Sequence, residues 1–440
     1  MIQYVVTSKR EEDMEENSQP KQQGLLRFLF THKGNTKPII LTEPLFAIPH
    51  SLFIPFAAIF MSALGVTDAQ IGLIAAVNLL VQAFAAFIAG AVIDKVGRRR
   101  SLFFFDLFCW TIPFIFWIFA QNFWWFLIAA SMNGMLQVPF NSWSCQVVED
   151  NKSVDLVKVF SLLHLTSQLA AIFLPFSILL IEGLGIVVAM RIIYSVAFVS
   201  TLIKFISLFC LSTEPEQGKK RMAETKNQSI FSLMSGYGSI AKQILTSRAL
   251  LFALLLNTTF RVTIIILNNV FGLFITDNIG LSESHLVIFA ILRALVIIFF
   301  LLVVQPRIAQ RNYRHPILFG LIFFISSHAL LIFSPIEGWT IPVVYVFLEA
   351  MAFSLVMPRQ SGLFNNLIDP QERARIMCII VVFSLIISIP FTYLSGWLAE
   401  IDRRLPFVLN IGIFAVTFVV SLCAKKLMAP QEQSAGDSTS

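Results

Sequence analysis

Charged residues are scarce in this sequence. Asp, Glu, Lys and Arg together make up 13% of the 440 residues, whereas hydrophobic residues make up 57%. The mean hydropathy of +0.78 is far above that of soluble globular proteins, in which about 25% of residues are charged. This composition excludes an ordinary soluble domain and predicts an integral membrane protein.

Cysteine is also scarce, and no two cysteines are close in the sequence. The five cysteines are dispersed over apolar stretches without any C-x-x-C pair, which excludes a disulfide framework and a cysteine metal site. The sequence also lacks a glycine-rich nucleotide-binding loop, so coupling to ATP is not expected. We therefore expect no cofactor, no metal and no enzymatic activity.

The charge that is present is mainly positive, with a formal net charge of +6 and a pI near 9.1. The basic residues occur in short clusters between apolar runs rather than in one continuous basic segment. Such clusters are typical of loops that face an anionic inner leaflet. They predict the lipid bilayer, and not nucleic acid, as their partner.

Twelve apolar runs are long enough to cross a bilayer, which requires about 20 residues each. A charged and polar segment separates the first six from the last six. The sequence therefore predicts an all-α membrane protein with twelve transmembrane helices in two pseudo-symmetric six-helix halves. The predicted spans are 44–65, 69–92, 101–120, 123–146, 159–181, 186–211, 249–274, 284–304, 316–334, 340–362, 376–398 and 405–424.

These runs divide the chain into five predicted segments. Residues 1–42 form an N-terminal segment with a short interfacial helix, and 43–211 form the first half. Residues 212–248 form a linker, 249–426 form the second half, and 427–440 form a disordered tail.

Lys and Arg outside the apolar runs are distributed unevenly between alternate connections. The termini and the even-numbered connections contain nearly all of them, whereas the odd-numbered connections contain only Arg403 and Arg404. By the positive-inside rule, both termini and the linker are predicted to be cytosolic, in a plasma membrane or a bacterial inner membrane.

The turn between the second and third spans has the sequence GAVIDKVGRRR. It resembles the signature loop of the major facilitator superfamily, and the resemblance extends over residues 40–426. In that family the loop aspartate makes charged contacts across the cytosolic face, towards the other half of the molecule, in the outward-facing state, which implies a gating role for Asp94. The matching positions are Gly90, Asp94, Lys95, Gly97, Arg98 and Arg99, with Lys95 where the family more often has arginine.

The resemblance implies a secondary active transporter that moves a small solute by alternating access, as a monomer, with a proton or a sodium ion as coupling ion. Two alternatives remain open: a multidrug or amphiphile efflux antiporter, and a receptor-like relative that does not transport. Many drug antiporters of the family have an arginine four residues before a glycine of helix four. Here Ala130 precedes Gly134 at that spacing, which argues against the efflux alternative.

Polar side chains within the apolar runs cost free energy unless they face protein or water. Several lie four, eight or eleven residues apart, which places them on one face of a helix. The resemblance implies that spans one, four, seven and ten line a central cavity, where these residues occur. The alternative is that Asn and Gln hold helices together. The uncharged candidates for substrate binding are His50, Asn133, Gln137, Asn141, Asn257, Asn268 and Gln360.

Three charged residues, Arg261, Arg293 and Glu349, lie near the predicted midplane. An arginine at this depth costs on the order of 3 kcal/mol, so each needs water or a partner. They are candidates for binding an anionic or zwitterionic solute, because arginines outnumber acids there. The alternative is a buried ion pair, for example of Arg261 with Glu349. Coupling to protons would require a titrating group such as Glu349, Asp106 or His50.

Overall fold

The computed structural model describes residues 34–149, 159, 162–163, 166–167, 169–229, 232, 237–304, 307–308, 313–367 and 373–424. Every regular element in this part of the chain is a helix. The predicted interfacial helix and the predicted C-terminal tail lie outside the described residues.

Each predicted span corresponds to a helix, which confirms the predicted fold class. In the described residues, nine helices are long and apolar enough to cross a membrane. The other three correspond to α4, which contains a 3₁₀ turn at Gly134–Leu136, to α5, whose described part is short, and to α8, which ends in a π-helical turn. In chain order the helices are α1 (Thr36–Ala63), α2 (Asp68–Val96), α3 (Arg98–Ile118), α4 (123–149), α5 (Ala171–Leu184), α6 (Ile186–Leu211), α7 (Arg248–Phe271), α8 (283–304), α9 (Arg314–Ile332), α10 (Thr340–Leu367), α11 (Arg373–Ile401) and α12 (Leu405–Cys423).

Local sequence explains why α1 is irregular and where α2 begins. Proline cannot donate a backbone hydrogen bond, and α1 changes to a 3₁₀ turn at Ile54–Phe56, which contains Pro55. Thr67 caps α2: its hydroxyl accepts from the Gln70 N–H, and the Gln70 side chain accepts from the Thr67 N–H. These two features place the helix ends without any contribution from distant residues.

The two halves pack together along α2 and α11. Gly72 and Gly396 permit the closest approach, because a Cβ added to Gly72 would lie 2.7 Å from the Cα of Gly396. Deeper in the membrane, Leu79 and Ala83 of α2 pack with Leu385 of α11. Contacts of α5 with α8 and of α1 with α7 complete the boundary between the halves.

The described residues between α6 and α7 include two short helices at one end of the bundle, which we call the linker face. The first linker helix, Glu216–Thr225, packs against α2, and the second, Tyr237–Thr246, packs against α7 and α11. The Tyr237 ring also lies 5.6 Å from the Phe87 ring of α2. The linker therefore contacts both halves. We call the other end of the bundle the opposite face.

Candidate functional site

A cavity of about 380 Å³ lies within the second half, where it borders α1 of the first half. Residues of α7, α8 and α10 form most of its wall, and Ile54 and Pro55 of α1 contribute from the first half. Three of the four lining residues of α10 are spaced four apart, at Tyr345, Glu349 and Phe353, as expected for one face of a helix. Aromatic rings form much of the surface, at Phe260, Phe271, Phe289, Phe324, Tyr345 and Phe353.

An ion pair lies in the wall of this cavity. Arg293 of α8 donates from Nε to Glu349 Oε2 at 2.7 Å and from Nη2 to Oε1 at 3.0 Å. Both residues lie roughly 15 Å from the opposite-face ends of their helices, at about 1.5 Å per residue. The sequence left open a pair of Arg261 with Glu349; the structure instead pairs Glu349 with Arg293, and Arg261 lies outside the cavity wall.

The two partners of the ion pair are unequally exposed. The Glu349 side chain is 4% exposed, whereas the Arg293 side chain is 38% exposed and lines the cavity. In the described residues, Nη1 of Arg293 has no hydrogen-bond partner. The guanidinium carbon also lies 4.9 Å from the centre of the Phe353 ring. Glu349 and Phe353 therefore orient Arg293 so that one N–H edge remains available to the cavity.

The polar residues predicted on α7 have different environments. Asn268 is exposed in the cavity wall. Arg261 does not line the cavity, and its Nε is buried without a hydrogen-bond partner in the described part of the chain. Asn257 accepts a hydrogen bond from Ser384 of α11 at 2.8 Å. Only Asn268 therefore contributes to the cavity surface in this conformation.

Two of the polar residues predicted on one face of α4 form hydrogen bonds with neighbouring helices. Asn133 accepts from Asn78 Nδ2 of α2 at 3.3 Å and donates to the Cys109 carbonyl of α3 at 2.8 Å. Gln137 donates to Gln82 of α2 at 3.1 Å. These contacts correspond to the alternative in which amides hold helices together. A role of these residues in solute binding stays a prediction.

The other predicted polar residues also lie outside the cavity wall. His50 lies among the rings of Phe46, Phe53 and Trp110, with centroids 5.2–5.8 Å away. Asn141 is half-buried. Gln360 is 6% exposed, and its Oε1 has no hydrogen-bond partner in the ranges that the structure describes.

The aromatic wall of the cavity was not predicted from the sequence. Phenylalanine is abundant in every apolar run, so a phenylalanine that faces a cavity cannot be distinguished from one that faces lipid. One signal was available on α10: Tyr345 and Phe353 lie four residues before and after Glu349, on the same helix face.

The signature loop requires glycine at position 97. Only this residue separates α2 from α3, and its φ of +95° lies in a region that favours glycine. A Cβ at this position would also lie 2.7 Å from Met222 Sδ of the first linker helix. Gly97 therefore permits both the sharp turn and the close approach of the linker.

The linker satisfies the first amides of α3. Glu214 accepts hydrogen bonds from the backbone N–H of Arg98 at 2.6 Å and of Arg99 at 2.9 Å. A carboxylate at a helix N-terminus is stabilised by unsatisfied N–H groups and by the helix dipole. The Arg98 side chain in turn donates to Asp94 at 3.0 Å and to Glu149 of α4 at 3.2 Å.

Asp94 also binds the first linker helix. Its Oδ2 accepts from Arg221 Nη2 at 2.8 Å and from Nε at 3.2 Å. This hydrogen bond and the charge of Asp94 raise the pKa of the Arg221 guanidinium. The family resemblance implied a contact towards the other half, whereas in the described residues the partners of Asp94 are Arg98 and Arg221 of the linker. Its gating role stays a prediction.

Asp94→Asn and Arg221→Gln are each expected to lower the free energy of unfolding by about 0.5–1 kcal/mol, because the Arg221 side chain is 41% exposed. The double variant is expected to cost less than the sum, since both substitutions remove one shared contact. Lys219→Gln, whose ion pair with Glu216 is mostly exposed to solvent, is the control with little expected effect. Thermal unfolding of the purified variants measures these differences, and strict additivity would show that the contact contributes nothing.

A second charged cluster joins the halves at the opposite face. Arg403, between α11 and α12, binds Asp68 at the start of α2 at 2.6 Å and Asp277, after α7, at 2.7 Å. Burial opposes the charge of Arg403, but the hydrogen bonds and charges of both aspartates raise the pKa of its guanidinium. The Gly72 and Gly396 contact lies one turn below Asp68. We call this set of contacts the opposite-face clasp.

Comparison with known proteins places this architecture in a family. Residues 45–389 match the Major Facilitator Superfamily. A curated relative, the uncharacterized MFS-type transporter YqjV of Bacillus subtilis strain 168, is 28% identical over 127 residues, which are 28% of this chain and 31% of the relative. The matched region therefore spans about a third of that relative.

Two solved structures have the same fold. The nucleoside transporter NupG has 15% sequence identity and a TM-score of 0.63, and the match covers 90% of this chain and 100% of that chain. The peptide transporter POT in complex with sulfate has 14% identity and a TM-score of 0.68, with 93% and 97% covered. Since the family match extends over more than half of the chain and the twelve helices form the corresponding fold, the protein belongs to the major facilitator superfamily of membrane transporters.

Proposed function

We propose that the protein is a secondary active transporter of a small amphiphilic organic anion, which binds in the cavity between α7, α8 and α10. The observation that carries this proposal is the available N–H edge of Arg293 inside an aromatic-walled cavity at mid-depth. Alternating access would expose this cavity first at one face and then at the other.

The charges around the cavity favour an anion. Glu349 uses both of its oxygens to bind Arg293, so no acidic oxygen remains free for a cationic solute. Arg293 retains Nη1 on the side of the cavity. A solute carboxylate or phosphate can therefore be bound by a charge-assisted hydrogen bond. The surrounding rings then bury the apolar body of the solute.

Orientation and coupling are further parts of the proposal. The distribution of Lys and Arg supports a cytosolic linker face and cytosolic termini. The opposite-face clasp then closes the extracellular end of the cavity. The similar POT structure contains sulfate, which is in accord with an anionic solute in this fold. The ionisable groups near the cavity can bind a proton, and a proton is therefore the proposed coupling ion.

Aromatic carboxylates such as benzoate, compared with their neutral amides, test the proposed site. We expect benzoate to raise the melting temperature of the purified protein, and benzamide to have no such effect, because ligands that bind the folded state stabilise it. Arg293→Lys keeps the charge but loses the planar donor edge, so binding is expected to weaken by about 10- to 100-fold. Arg191→Lys on α6, outside the cavity wall, is the matched control.

Counterflow in proteoliposomes distinguishes transport from binding alone. Vesicles preloaded with benzoate are expected to accumulate labelled benzoate, and Arg293→Lys is expected to abolish accumulation. Binding without counterflow would identify a receptor-like relative. Equal stabilisation by benzamide, unaffected by Arg293→Lys, would contradict the anion site and favour the amphiphile efflux alternative, which the aromatic wall also accommodates.

A further inference from the structure

A fully buried polar cluster lies behind the cavity wall, between α9 and α12. It consists of Ser327, His328 and Asn410, each 0% exposed. The Asn410 Nδ2 lies 3.4 Å from the His328 Nε2, and the His328 Nδ1 lies 2.9 Å from the Phe324 carbonyl oxygen. Burying a histidine in the membrane costs free energy. The hydrogen bonds that compensate for this cost therefore bear on the role of the residue.

The neighbours of His328 determine where its proton lies. The Phe324 carbonyl can only accept, so Nδ1 must carry a proton and donate to it. Ser327 also donates to this carbonyl, at 2.9 Å. Nε2 faces the amide of Asn410, which donates to it. The ring is therefore neutral in this conformation, and the lone pair on Nε2 accepts the hydrogen bond from Asn410.

The Asn410 amide can form a hydrogen bond with either protonation state of the His328 ring. Its Oδ1 is buried and has no hydrogen-bond partner in the described residues. Rotation of the amide by 180° would place Oδ1 opposite Nε2, where it accepts from a protonated ring. The number of unsatisfied amide atoms stays the same, because Nδ2 takes the former place of Oδ1. His328 can thus gain one proton without movement of the backbone.

Aromatic rings surround the imidazole on several sides. Tyr345 and Phe414 have ring centroids 5.5 Å from that of His328, and Phe407 lies at 6.0 Å. Aromatic faces attract cations, most strongly where water is excluded. This environment lowers the cost of an imidazolium at the site.

His328 is linked to the cavity through α10. Tyr345 contacts the His328 ring and also lines the cavity, one turn from Glu349. Glu349 lies on α10 one turn from Tyr345, and Arg261 lies on α7, which packs against α10 and α12. Helix α12 contains no Asp, Glu, Lys, Arg or His. Glu349 is therefore the acidic residue on α9, α10 and α12 that can interact with a charge on His328.

We propose that His328 is a proton-binding residue, and that it gains its proton when an anionic solute binds at the free N–H edge of Arg293. This inference rests on the anion site proposed above. Without solute, Arg293 and Glu349 neutralise each other. A bound anion adds one negative charge, and a proton on Nε2 restores neutrality. The proton is taken up from the bulk solution, with no hydroxide left behind; the Nδ2–H···Nε2 hydrogen bond breaks, and an Nε2–H···Oδ1 hydrogen bond forms. Anion and proton are then carried in the same direction.

Nitrogen-15 NMR of histidine-labelled, full-length protein tests this inference, with His328→Gln to assign the signals. At pH 7 without ligand we expect a neutral His328 with the proton on Nδ1. Saturating benzoate is expected to produce the doubly protonated ring. In Arg293→Gln the uncompensated charge of Glu349 is expected to have the same effect without ligand, whereas the Arg293→Gln, Glu349→Gln double variant is expected to keep the ring neutral.

The outcomes separate this inference from the anion site. A His328 that stays neutral in Arg293→Gln overturns the inference, since Glu349 would then carry the proton itself. Protonation in Arg293→Gln, with no binding of benzoate to the wild type, overturns the anion site and leaves His328 as the proton site.

A second measurement does not depend on the folding of Arg293→Gln. Addition of benzoate to wild-type protein in weakly buffered solution is expected to cause uptake of about one proton per bound anion, by the charge balance above. In His328→Gln this uptake is expected to be lost while benzoate still raises the melting temperature. Undiminished uptake in His328→Gln would overturn the inference.

Discussion

Arg293→Gln is expected to lower the free energy of unfolding by about 3–5 kcal/mol, because it leaves Glu349 buried without its partner. The Glu349 side chain is only 4% exposed, so water cannot replace the lost hydrogen bonds. Glu349→Gln is expected to cost less, since Arg293 is 38% exposed and retains contact with the cavity. Denaturant or thermal unfolding in a fixed detergent measures both values.

The double variant Arg293→Gln, Glu349→Gln distinguishes a structural pair from a binding site. It is expected to recover most of the lost stability, because no unpaired charge remains. It is not expected to bind benzoate, because the guanidinium is absent. A double variant that is stable and binds benzoate as well as the wild type would show that the pair is only structural. Additive costs would contradict the pairing seen in the structure.

Arg403→Glu is expected to open the opposite face. The substitution removes two ion pairs and places a third carboxylate beside Asp68 and Asp277, so the clasp becomes repulsive. Each charge-assisted hydrogen bond contributes about 1.5–3 kcal/mol. A cysteine at Asn268, in the cavity wall, should therefore react with an impermeant thiol reagent from that side about 10-fold faster or more.

The matched control is Arg404→Glu, which changes the same charge at the next residue. Arg404 forms no ion pair within the described residues, so its substitution should leave the labelling rate unchanged. Glu337→Cys, an exposed position in the connection between α9 and α10, serves as the reference for orientation. It should label from outside intact cells. Failure of this labelling would reverse the proposed orientation, and equal rates in both Arg variants would contradict the clasp.

The fold was predictable because its determinants are local. A bilayer demands about 20 apolar residues per helix, and this requirement is visible in the sequence whatever the helices contact. The interruption of α1 near Pro55 and the turn at Gly97 also follow from the conformational limits of single residues. None of these features depends on which helices are neighbours.

The site was only partly predictable. Arg293, Glu349 and Asn268 were singled out because polar residues are rare in apolar runs, and all three line the cavity. The same criterion selected Asn133 and Gln137, which bind α2 instead. A polar residue in a membrane needs a partner, but sequence periodicity does not tell a helix-packing partner from a solute.

The sequence by itself determined the membrane class, the twelve helices, their division into two groups of six and the family, since each depends on hydropathy or on a short contiguous motif. Only the tertiary structure decided that Glu349 pairs with Arg293 rather than with Arg261, that Asp94 binds Arg221 of the linker, and that His328 lies against Asn410. These contacts join residues 56, 127 and 82 positions apart. Their partners are chosen by the relative positions of packed helices, and hydropathy carries no information about those positions.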